Sequence, residues 1–149
     1  MILSGQSILQ ARPLHPILLT KHKGPGGVSY GLSEAGYDIR IKKTVLLWPG
    51  RFVLASSVEL FNMPDLLLGI VHDKSTWARL GVAVQNTVIE PGWKGYLTLE
   101  LTMHAFRFLR IPAGAGIAQI IFHRLDQPAV PYSGKYQNQP SRPIAAIRE

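Results

Sequence analysis

The sequence predicts an all-β domain carrying a few short helices, and three observations predict it. From Tyr37 the residues alternate with a period of two, Tyr37, Ile39 and Ile41 interleaving with Asp38, Arg40 and Lys42. Turn formers then recur at short intervals, at Pro49-Gly50, Asn62-Met63-Pro64-Asp65 and Pro91-Gly92, and cut the chain into strand-length pieces. The 149 residues, 46% of them hydrophobic, suffice for one domain with a true core and are too few for two. The expected architecture is a sandwich or barrel-like domain over residues 1–149, without internal repeats.

Each element follows from local chemistry. Ser4 can cap a short helix over Gly5 to Ala11, with Ile8 and Leu9 as its apolar side. Pro13 and Pro16 end it. Lys21 to Gly27 reads as an exposed flexible loop, whose cations would also suit a phosphate. Strands are expected over Thr44 to Trp48, Arg51 to Leu60, Leu66 to Val71, Gly81 to Ile89, Gly95 to His104 and Ala115 to His123. Past Pro128 large aliphatic residues thin out, and residues 128–149 read as an irregular tail that packs on the body or on a neighbour.

Composition limits the chemistry. Sixteen Lys and Arg against nine Asp and Glu give a formal net charge of +7, which calls for an anionic partner without choosing among nucleic acid, an acidic membrane and a triphosphate. No aromatic-basic stripe or nucleic-acid motif stands out, so nucleic acid is not the expected partner. The absence of cysteine excludes disulfides and any thiolate zinc site, and with it the zinc route to cytosine deamination. No apolar run approaches the roughly 20 residues of a membrane span. Met1-Ile2-Leu3-Ser4 lacks the basic start of a signal peptide, so the expected location is cytoplasmic.

Two segments stand out. Asp73-Lys-Ser-Thr-Trp-Ala-Arg-Leu-Gly81 interrupts the strands with a helix of about two turns, Asp73 as N-cap and Gly81 past its end. Lys74, Ser75 and Thr76 in its first turn can grip a phosphate, and Arg79 shares a face with Ser75. The same residues also read as an ordinary capped helix with a polar start. In the hairpin Ile89-Glu-Pro-Gly-Trp-Lys-Gly95 and its second strand, Leu97, Leu99 and Leu101 share one face, and Tyr96, Thr98 and Glu100 the other. Glu100 is a plain surface charge if that face is solvated. If the face is enclosed, Glu100 is a candidate general base.

These segments together resemble the dCTP deaminase family of the dUTPase-like superfamily. Asp73 to Gly81 looks like the family's Gly-Arg-Ser-Ser-Leu-Ala-Arg-Leu-Gly. Glu90-Pro-Gly-Trp-Lys-Gly-Tyr-Leu-Thr-Leu-Glu100 is similar to its Asp-Pro-Gly-Trp/Phe-x-Gly followed by a strand ending in Glu. Pro131-Tyr-Ser-Gly-Lys-Tyr-Gln-Asn-Gln139 resembles its C-terminal Tyr-x-Gly-Lys-Tyr-Gln signature, and the opening Met1 to Ser4 and Tyr37 to Arg40 match as well. The motifs keep the family's order along almost the whole chain.

The resemblance implies a dUTPase-like distorted β-barrel, assembled as a homotrimer with active sites between subunits. It implies hydrolytic deamination of dCTP to dUTP and ammonia without a catalytic metal, Mg²⁺ travelling with the substrate triphosphate. Lys74, Ser75 and Thr76 would hold that triphosphate. Glu100 would be the base, with Ser75 and Arg79 orienting the water and the carboxylate. Glu90 would meet the 3′-hydroxyl, Trp93 would pack under the sugar, and Tyr132, Lys135 and Gln139 would close the tail over the nucleotide. Lys74 stands where the family has Arg, losing a bidentate fork, and Glu90 replaces Asp. Residues 84–89 form a shorter stretch than usual, and Met103-His104-Ala105 replaces an Asn-containing turn. Three alternatives remain at this level: a dUTPase, an enzyme that both deaminates dCTP and cleaves the triphosphate, and a catalytically inactive nucleotide-binding homologue.

Overall fold

Strand propensity carries through to the structure, a computed structural model that describes residues 1–148; Glu149, the last residue of the expected domain, lies outside the described residues. After helix α1 (Gly5–Ala11) come β1 (Leu14–His15), β2 (Lys21–His22), β3 (Tyr30–Ser33), β4 (Gly36–Arg40), β5 (Val45–Leu47), β6 (Phe52–Asn62) and β7 (Leu67–Asp73). Helix α2 (Ser75–Ala78) precedes β8 (Val82–Val84), β9 (Val88–Ile89), β10 (Lys94–Met103), β11 (Leu109–Ile111) and β12 (Gly116–Arg124). A six-stranded sheet runs β2-β3-β4-β12-β7-β9, a four-stranded sheet runs β1-β6-β10-β8, and β11 pairs with β5 in a small ribbon.

The core explains why these strands stay together. Ile39, Ile120 and Phe122 of the larger sheet join Phe61, Leu99 and Leu101 of the smaller one in a single buried cluster. Each fully buried side chain of this size favours folding by roughly 1.5–3 kcal/mol. Tyr37, also buried, donates from its hydroxyl to the Pro16 carbonyl and accepts from the Leu18 amide, and burial pushes its phenol up to about 12. The Ser4 cap forms as expected, its hydroxyl accepting from the Ser7 amide.

Three local expectations are corrected. Lys21 to Gly27 is not an open loop: Lys21 and His22 pair with Gly31 and Tyr30, and Pro25–Gly27 make a 3₁₀ turn. The helix begun near Asp73 has one turn rather than two, and Lys74 is its N-cap. Asp73 instead closes β7, where its carboxylate accepts from the Val84 amide at 2.6 Å. The run Gly81 to Ile89 is not one strand, because β8 leaves β10 after Val84 and β9 pairs with β7.

Candidate active site

β10 is the strand on which the site is built. It pairs with β6 on one side, Glu100 opposite Leu54 and Thr102 opposite Phe52, while Leu99 and Leu101 turn into the core. The alternation that buries the leucines therefore sends Thr98 and Glu100 to the opposite face. That face opens into a cleft of about 560 Å³, a size suited to a small ligand. Phe52, Leu54, Val88 and Ile89 make its walls apolar, and Glu90, Trp93, Thr98, Glu100, Tyr132 and Gln139 line it as well.

Glu100 is half-buried on this wall. Burial alone raises its carboxyl above the ordinary value, and no side chain among the described residues pairs with it. A carboxylate so held takes up a proton more readily than an exposed one, which suits a general base. Glu90 lies at the exposed edge of the cleft. Trp93 is 6% exposed, tilts against Phe61 with ring centroids 6.1 Å apart, and donates from its indole nitrogen to the Tyr136 carbonyl at 2.7 Å.

The tail is fastened to this hairpin. Gly95 has φ +152°, and a Cβ there would sit 2.6 Å from the Gln139 amide nitrogen, so the bare backbone lets residue 139 bridge residue 95. The Tyr96 amide donates to the Gln139 carbonyl and the Asn138 amide to the Lys94 carbonyl. The Thr98 hydroxyl donates to Gln139 Oε1 at 2.7 Å and accepts from the Ile144 amide. Gln137 donates to the carbonyls of Gly92 and Tyr132. Lys135 is exposed, stands over the Tyr136 ring and does not line the cleft.

The helix-start residues lie elsewhere. Lys74, Ser75, Thr76 and Arg79 are absent from the cleft walls, and Ser75, Thr76 and Arg79 are exposed. Lys74 is engaged by the buried Asp38, its ammonium 2.5 Å from Oδ2, with Lys21 3.7 Å from the same oxygen. Its charge is thus shared with a carboxylate inside the chain. One chain brings together Glu90, Trp93, Glu100, Tyr132 and Gln139, but not the residues expected to grip phosphate.

Sequence reading overlooked several contributors. Thr98 is placed on the Glu100 face by the same period but given no role there. Asn86, whose carboxamide bonds to β10, gives no signal beyond an Asn within a strand-like run. Ile144 and Ala146 also line the cleft, although nothing in the composition of the tail marks them.

Residues 34–125 match the dCTP deaminase-like family. A dCTP deaminase of Campylobacter curvus is 38% identical over 78% of this chain and 80% of its own length. One of Roseiflexus castenholzii is 36% identical over 85% and 86%. Among solved structures, the 2′-deoxycytidine 5′-triphosphate deaminase from Agrobacterium tumefaciens aligns with a TM-score of 0.66 and 16% identity, covering 83% of this chain and 47% of that one. The native EIAV dUTPase aligns at 0.58 and 17%, covering 70% and 88%. At these identities the structural likeness establishes a dUTPase-like fold.

Proposed function

This chain belongs to the dCTP deaminase-like family, and from that premise we propose that it is an enzyme that hydrolyses dCTP to dUTP and ammonia. The observation that carries the proposal is Glu100: a carboxylate without a side-chain partner among the described residues, raised by burial, on the wall of a cleft of about 560 Å³ it shares with Glu90 and Trp93.

In the reaction, Glu100 takes a proton from water as the oxygen bonds to C4 of cytosine, and the proton passes to N3. The hydroxyl proton of the tetrahedral adduct then moves through Glu100 to the exocyclic nitrogen. The C4–N bond breaks, ammonia leaves, and the ring retains a C4 carbonyl and an N3–H. Every transfer runs through one carboxylate, whose raised affinity for protons serves both the uptake and the return. Trp93 supports the sugar, Glu90 meets the 3′-hydroxyl, and Tyr132, Lys135 and Gln139 close the tail over the nucleotide.

Ser75, Thr76 and Lys74 hold the triphosphate, and Ser75 and Arg79 orient the water and Glu100, all from a neighbouring copy in a homotrimer. The support for this is the separation of the two residue sets within one chain. Among the described residues no group of three or more His, Asp or Glu could hold a metal. A Mg²⁺ ion would enter with the substrate triphosphate and help neutralise its charge, while Lys74, Ser75 and Thr76 hold the phosphates. Among the described residues, no helix is long and apolar enough to cross a membrane.

Incubation of the purified protein with dCTP and dUTP tests the reading. Ammonia release from dCTP is expected. Pyrophosphate release from dUTP without deamination would replace the proposal by a dUTPase, for which Glu90 at the cleft edge would be the water-activating carboxylate.

A further inference from the structure

β10 loses its partner strand at the residue proposed as the base. β8 pairs with β10 only through Leu101 opposite Val84, Thr102 opposite Ala83 and Met103 opposite Val82. Beyond Val84 the edge of β10 at Thr98 and Glu100 would be bare, with backbone groups open to the cleft. Bare strand edges are loose and hydrated, and polar groups so close to an apolar wall call for partners.

The chain supplies them with one backbone amide and then with side chains rather than with a strand. The Glu100 carbonyl accepts from the Gln85 amide at 2.8 Å. The Glu100 amide donates to Asn86 Oδ1 at 3.0 Å, and Asn86 Nδ2 donates to the Thr98 carbonyl at 2.7 Å. One carboxamide thus presents the acceptor and donor that a neighbouring strand would present, on both sides of Leu99. The Thr102 hydroxyl extends the clamp by donating to Gln85 Oε1 at 2.5 Å. Thr98, the other end of the clamp, is the residue whose hydroxyl holds Gln139 and Ile144 of the tail.

We propose that Asn86 is a positioning residue for the deamination assigned above: its carboxamide stands in for the missing strand and fixes the backbone from which Glu100 reaches into the cleft. The inference rests on Glu100 being the base. Both polar ends of Asn86 bond to β10, so this side chain, itself on the cleft wall, aims Glu100. By holding Thr98 as well, the same side chain ties the place where the tail latches to the backbone of the base.

The test compares Asn86→Ala and Asn86→Asp with the parent. For Asn86→Ala, kcat for dCTP should fall on the order of tenfold to a hundredfold, the scale of a small misplacement of a reacting group, while dCTP affinity measured by calorimetry stays within about threefold. Asn86→Asp keeps the acceptor for the Glu100 amide and sets a second carboxylate beside Glu100. It should retain more turnover than Asn86→Ala at high pH and lose it at a higher pH than the parent on acidification. Amide exchange gives a readout independent of turnover: the Glu100 N–H should exchange much faster in Asn86→Ala while β12 amides stay protected. Unchanged exchange at Glu100, or kcat and affinity falling in step, would overturn the positioning role. A parent that releases no ammonia from dCTP would instead sink the assigned reaction, and exchange at Glu100 would still decide whether the clamp exists.

Discussion

Glu59 and Glu100 sit on adjacent strands of one sheet, both raised by burial, and they do different work. Glu59 is fully buried and satisfied: Oε1 accepts from Arg40 Nε at 2.7 Å and Oε2 from the Arg40 amide at 2.9 Å. Arg40 in turn stacks over the Tyr30 ring. Glu100 has no such partner among the described residues and faces the cleft. A carboxylate sealed in the core with both oxygens bonded to one arginine holds strands together. One left open beside a cavity can exchange protons with whatever enters it.

The sharpest way to break this contrast is Glu100→Gln, which removes the proton acceptor and keeps the shape. Turnover of dCTP should drop by on the order of 10²–10⁴-fold, with nucleotide binding and melting temperature retained. Surviving turnover would return Glu100 to the status of a surface charge.

The opposite lesion is Arg40→Met, which strands Glu59 in the core. A stability loss of about 3–5 kcal/mol in urea unfolding is expected. The sign of its pH dependence follows from the direction of the shift. The folded state holds the Glu59 proton to higher pH than the unfolded chain, so stability declines as pH climbs from the unfolded value through the folded one. Without Arg40 the folded value rises further, and the deficit relative to the parent should be larger at pH 8 than at pH 5. An equal deficit at both would mean that Arg40 packs without neutralising Glu59.

A pH profile of kcat/KM sharpens the Glu100 side. Glu100 must be ionised to accept a proton, and burial raises it, so activity should fall on acidification with a midpoint above the ordinary value of 4.5. A midpoint at or below that value would mean that a neighbouring cation such as Arg79 of the next copy, rather than burial, governs the proton affinity of Glu100. The smallest effect comes from mixing subunits. Ser75→Ala and Glu100→Gln proteins, each impaired alone, should regain activity in roughly a quarter of their sites when refolded together, as random assembly of a ring allows. Unchanged activity on mixing would put Ser75 and Glu100 in one chain's site.

Much of the fold was legible because its signals are local. The period of two from Tyr37, the turn at Pro49-Gly50 and the leucine face of β10 each need only neighbouring residues. The motif order carried the family for the same reason, and it pointed to Glu90, Trp93 and Glu100 before any contact was known. The misreadings came where long-range partners won. Asp73 has the chemistry of a cap but is taken by the Val84 amide, and the run Gly81 to Ile89 is split because β9 pairs with β7.

By itself the sequence determined that this chain is β-rich, has no cysteine, carries excess positive charge and holds one carboxylate on the less aliphatic face of a strand. The tertiary structure alone decided that this face is enclosed, that the tail returns to Gly95, and that Asn86 fills the gap beside Glu100. Those facts depend on residues far apart in the chain meeting at hydrogen-bond distance, and a side chain's proton affinity depends on what surrounds it rather than on what precedes it. The same physics separates Glu59 from Glu100: one sheet and one residue type, told apart only by what each touches.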